Sequence, residues 1–147
     1  MKKIFIPPVF VFISIFLIVF FCFLTPDFNW IPFPFNFCGI LITFSGFAII
    51  GKTWELFRKN KTTLLIKTSS FFITDGIFSK TRNPMYLGMF LLLFGVAVCF
   101  TNLFSIITAF SFLLLMHFVF IPKEEKLMFE TFGDEYLDYK KKVRKWI

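Results

Sequence analysis

From Met85 to Ile121 the chain carries no Asp, Glu, Lys or Arg. A run of that length can enter a bilayer and come back. Its return brings the two flanking charged stretches to one face. One is Arg82-Asn83-Pro84-Met85-Tyr86-Leu87-Gly88; the other runs from Lys123-Glu124-Glu125 through Phe132-Gly133-Asp134-Glu135-Tyr136. Two further blocks, Ile4 to Leu24 and Phe28 to Gly51, are also free of charge. Each reaches the roughly 20 residues a helix needs to cross hydrocarbon. Phe supplies 27 of the 147 residues and 57% of the chain is apolar, more than a soluble domain this small can hide. The chain therefore reads as an integral membrane protein.

The net charge of +7 orients the chain in a membrane and argues against nucleic acid as a partner. Basic residues occur at Lys2 and Lys3, between Lys52 and Arg82, and between Lys123 and Lys145. Four crossings place all of them on one side, with both termini cytoplasmic by the positive-inside rule. There they meet anionic lipid headgroups. Met1 to Leu24 is expected to stay as a helix. Its apolar stretch exceeds a usual signal core, and Thr25-Pro26-Asp27 offers no small-x-small cleavage site. Cys22, Cys38 and Cys99 are dispersed in apolar segments and read as small hydrophobes, with no metal set.

The expected fold is an all-α membrane protein of about four transmembrane helices, the third and fourth forming a tight hairpin, followed by a cytoplasmic C-terminal interfacial helix. Helices are expected over residues 6–24, 35–56, 85–99 and 103–121. Pro84 opens the third, with Asn83 as its cap. Pro122 ends the fourth, and Gly133 interrupts the helix beyond it. The loop from Lys59 to Arg82 keeps the apolar pieces Leu64-Leu65-Ile66 and Phe71-Phe72-Ile73, so it reads as folded against the membrane face. Residues 1–58 are expected to form an N-terminal transmembrane helix pair and 59–147 a second half of cytoplasmic loop, helical hairpin and C-terminal helix.

Arg82 is either a topological anchor or a fork of donors for a carboxylate or phosphate. Tyr86 lies one turn on, on the same helix face. Gly88 removes bulk and admits a ligand or another helix. One of Glu124 and Glu125 pairs with nearby cations or accepts hydrogen bonds from a ligand's hydroxyls or amine. The lone His117 cannot build a metal site; it makes a polar contact between helices or serves the site.

These residues resemble the isoprenylcysteine carboxyl methyltransferase and phospholipid methyltransferase superfamily of integral membrane enzymes. Arg82 to Gly88 looks like the signature opening its catalytic half. Glu124-Glu125 with Leu127, then Phe132-Gly133-Asp134-Glu135-Tyr136-Leu137 and Tyr139, resembles the second. The resemblance implies a transferase that moves a methyl group from S-adenosylmethionine to a lipophilic or membrane-associated acceptor; the short loops and simple charge pattern suggest a bacterial inner membrane. It implies catalytic roles for Arg82, Tyr86 and Glu125. It also implies a cofactor site drawn from Gly76, Phe78, Asn83, Pro84, Tyr86, Gly88, His117, Glu124 and Glu125. Phe78 stands where the family has Tyr, and Asn83 where eukaryotic isoprenylcysteine enzymes have His, so no proton shuttles through residue 83. A phospholipid amine methyltransferase and a non-enzymatic membrane protein are the alternatives.

Overall fold

A computed structural model of the chain describes residues 7–60 and 72–147. Lys2, Lys3, Leu64-Leu65-Ile66 and Phe71 lie outside the described residues. The helices are α1 (Pro7–Leu24), α2 (Cys38–Lys59), α3 (Pro84–Phe100), α4 (Leu103–Leu115) and α5 (Ile121–Lys142), with a π-helical segment, Met116–Phe120, joining the last two. Many large apolar side chains point outward, among them Phe12, Phe16, Phe23, Leu41 and Phe44. In water such a surface would aggregate; in a bilayer it is the lipid face. The chain is an integral membrane protein with several apolar helices.

The expectation of four crossings with a tight third-and-fourth hairpin is corrected. Among the described residues three helices are long and apolar enough to cross: Pro7–Leu24, Phe35–Lys59 and the one running from Leu103 to Lys142. α3 has 17 residues, about 25 Å at 1.5 Å per residue, against roughly 30 Å of hydrocarbon. Its most extensive neighbour is α2 rather than α4. Glycine explains this. A side chain at Gly46 would strike the Gly88 carbonyl and the Leu92 backbone, and one at Gly95 would strike Thr43 and the Gly39 carbonyl. Gly39 therefore faces Gly95 and Gly46 faces Gly88, so the two helices run antiparallel at backbone contact.

The separate C-terminal helix is corrected as well. Pro122 does not end a helix; the chain passes from α4 through the π segment into α5. Proline cannot donate the usual backbone hydrogen bond, and its ring crowds the preceding turn. The widened π turn directly upstream accommodates both defects.

α1 packs antiparallel on α4. Ser105 Oγ donates to the Ile18 carbonyl at 2.9 Å, Phe21 stacks on Phe104 and Phe10 meets Phe120 edge-on. Ile18, Leu93, Ala97, Ala109, Phe112 and Met116 form the core between α1, α3 and α4. One end of the bundle is closed by the 25–37 loop. The Trp30 N–H donates to the Thr101 carbonyl at 2.8 Å, and Asn102 Nδ2 donates to the Thr25 carbonyl at 2.6 Å. The opposite end holds the charged motifs.

Candidate active site

A straight helix would hold Glu125 and Lys140 about 22 Å apart. Their charged atoms are 2.8 Å apart. The chain reverses at Gly133, whose φ of 54° and ψ of −126° are accessible to glycine and costly for other residues. α5 is thus two arms, 121–132 and 134–142, folded antiparallel. The tail beyond them lies along the turn before α3. The Arg82 N–H donates to the Arg144 carbonyl at 3.0 Å. Thr81 Oγ1 and Asn83 Nδ2 both donate to the Lys145 carbonyl, at 3.2 and 3.0 Å. Asn83 occupies the N-cap position of α3 without a side-chain capping bond; its amide is used on the tail instead.

The fold-back brings four charges together. Arg82 Nη1 approaches Glu125 Oε1 at 2.9 Å, and Lys140 Nζ approaches Glu125 Oε2 at 2.8 Å. The Arg82 and Glu125 side chains are 9% and 15% exposed. Their approach makes an ion pair without hydrogen-bond alignment: Arg82 Nε and Nη1 and Glu125 Oε1 have no hydrogen-bond partner among the described residues. The Tyr136 phenol lies beside Arg82 and both glutamates. Glu124 is held differently, accepting a hydrogen bond from the Tyr86 hydroxyl at 2.5 Å. Two neighbouring glutamates therefore have separate tasks: Glu125 bridges two cations, and Glu124 has a neutral phenol as its partner.

The other expected residues have neighbours of their own. Pro84 is fully buried at the start of α3. Phe78 packs on Phe57, and its carbonyl accepts from the Tyr139 hydroxyl at 2.6 Å. Gly76, at φ +61°, abuts Leu56 of α2. Gly88 is turned toward Gly46, Ile49 and Ile50 of α2. His117 Nδ1 accepts from Trp146 Nε1 at 3.1 Å, with the rings stacked, so the polar contact of His117 is with the tail. A cleft of about 300 Å³ opens between the two arms of α5, with Glu125, Phe129, Tyr136 and Lys140 on its walls.

The motif reading did not place Thr81, Lys140 or Trp146 in the site. The available signal was Gly133 lying almost midway between Glu125 and Lys140, with helix-forming sequence on both sides.

Comparison with known proteins bears on this arrangement. The family profile described as phospholipid methyltransferase matches residues 34–135, well over half of the chain. The chain belongs to the phospholipid methyltransferase family. Over 87 residues it is 36% identical to the protein-S-isoprenylcysteine O-methyltransferase of Schizosaccharomyces pombe, a stretch covering 58% of this chain and 34% of that protein. The Saccharomyces cerevisiae protein of the same name is also 36% identical over 87 residues, covering 58% of this chain and 33% of its own. An uncharacterized protein of Haemophilus influenzae is 35% identical over 63 residues, its whole length. The matched stretch spans about a third of the two yeast enzymes. The family match begins just before α2 and ends at Glu135, so it stops short of Tyr136, Tyr139, Lys140 and Trp146.

Proposed function

We propose that this phospholipid methyltransferase family member transfers a methyl group from S-adenosylmethionine to a lipophilic or membrane-associated acceptor. One observation carries the reading: the two charged motifs, 38 residues apart between Tyr86 and Glu124, meet through direct side-chain pairs. The donor set fits such a cofactor. Arg82 is a buried guanidinium with hydrogen-bonding capacity left, suited to a carboxylate. Glu124 offers a carboxylate to an amine or to ribose hydroxyls. When bound, the cofactor supplies a methyl on a sulfonium, a good leaving group that needs little covalent assistance.

The chain's own work is then to bind, orient and exclude water. In this reading Arg82, Tyr86 and Glu125 are the catalytic residues. Glu124 holds the cationic or hydroxyl-bearing part of the cofactor, and Tyr86 fixes that carboxylate. Asn83 and Pro84 shape the pocket wall, with Gly76, Phe78, Gly88 and His117 supporting it through their contacts with α2 and the tail. Residues 1–58 serve as a membrane anchor and 59–147 as the catalytic half. The basic segments put the site end of the bundle, with both termini, on the cytoplasmic side of a bacterial inner membrane. The yeast relatives' name favours a carboxylate acceptor; the family description favours a phospholipid amine.

Two measurements test this reading. Labelled methyl from S-adenosylmethionine, supplied with the protein and a native membrane extract, is expected in a lipid-soluble product, whose identity separates the two acceptors. By calorimetry in detergent, Tyr86→Phe, Glu124→Gln and Glu125→Gln are each expected to weaken S-adenosylhomocysteine binding; unchanged affinity in all three refutes the site.

A further inference from the structure

Glu125 stands between two cations, and only one of them belongs to the first motif. Lys140 comes from the folded-back arm of α5, beyond the stretch matched to the family. Arg82 is nine-tenths buried, yet its Nε and Nη1 lack hydrogen-bond acceptors among the described residues. A buried guanidinium ordinarily closes on a carboxylate through two parallel bonds. Here Glu125 gives Arg82 one oxygen and Lys140 the other. Lys140 adds a second positive charge to Arg82, Glu124 and Glu125 and so offsets both carboxylates; without it the cluster would carry a net negative charge and repel an anion.

We infer that Lys140 is a positioning residue: by holding Glu125 Oε2 it stops Glu125 from saturating Arg82, and so keeps the guanidinium open to an anionic group of the ligand, a carboxylate or a phosphate. The inference rests on the proposed methyl-transfer reading. It gives the second arm of α5 a part in ligand choice. Glu124, one residue away, has Tyr86 as its hydrogen-bond donor among the described residues and is left for a cationic group.

The test uses the full chain in detergent, as wild type, Lys140→Met and Lys140→Arg. Three probes are titrated: S-adenosylhomocysteine, which has a carboxylate; 5′-methylthioadenosine, which has none; and lysophosphatidic acid, which has a phosphate. Lys140→Met is expected to weaken an anionic probe about tenfold, the scale of one charge-assisted hydrogen bond. Lys140→Arg should restore it, and methylthioadenosine should bind all three proteins alike. Weakening of S-adenosylhomocysteine alone assigns the anion to the cofactor; weakening of lysophosphatidic acid alone assigns it to the acceptor. Wild-type binding that is unchanged in Lys140→Met overturns the role of Lys140 and leaves the methyl-transfer reading standing. Equal weakening of methylthioadenosine, or no rescue by arginine, marks general damage and also overturns it. A wild-type protein that binds none of the probes removes the methyl-transfer reading and this inference with it.

Discussion

Asn102 is fully buried at the end of the bundle away from the site, and both ends of its amide are used. Oδ1 accepts from the Phe104 and Ser105 N–H groups at 3.0 and 3.3 Å, capping α4. Nδ2 donates to the Thr25 carbonyl at 2.6 Å, holding the 25–37 loop. Asn102→Ala removes cap and tether together. The expected loss is about 2 kcal/mol, read as a lower unfolding midpoint in detergent with ligand affinity retained. The same economy separates Glu124 from Glu125. Adjacent residues on a helix point about 100° apart, so one carboxylate reaches Tyr86 and the other reaches Arg82 and Lys140. Sequence placed both acids at the rim but left their roles interchangeable, because only neighbours from other elements tell them apart.

Among the elements, the α2–α3 pair is set by backbone proximity. A Cβ at Gly95 meets the backbone of Thr43 and Gly39, which cannot swing aside. Gly95→Val is expected to push the helices apart at a cost of about 2 kcal/mol or more, seen as a lower thermal midpoint and weaker binding at the α3 end. Gly51 faces open space on the same helix pair. Gly51→Ala should leave packing intact and raise helix stability by up to about 1 kcal/mol. Gly88 looked in the sequence like room for a ligand or another helix. The structure gives that room to α2, which periodicity in α3 could not reveal, since α3 is apolar on every side. Gly133 was legible as an interruption of a helix. That the interruption is a full reversal follows from contacts such as Lys140 with Glu125 and Trp146 with His117.

Across the whole molecule the bundle has two distinct ends. Phe10 against Phe120, Phe57 against Phe78, and the tail against the Arg82 turn mark the site end. Trp30 against Thr101 marks the other. With Cys22, Cys38 and Cys99 replaced, single cysteines at Lys80 and Lys123 are expected to react with an impermeant thiol reagent from the same membrane face, and one at Trp30 from the opposite face. Labelling of positions 80 and 123 from different faces would break the site apart.

The amino-acid order alone determined that the chain lives in a membrane, where its apolar helices lie, and which two charged motifs flank the uncharged return. Hydrophobicity and charge are local properties, and a bilayer reads them directly. Tertiary structure decided how many helices have spanning length, that α2 is the chief partner of α3, and that Lys140 and Trp146 join the motif residues. Those outcomes depend on glycine-to-backbone approach and on a single reversal at Gly133. Both are set by pairs of residues far apart in the chain, and no one-dimensional pattern records them.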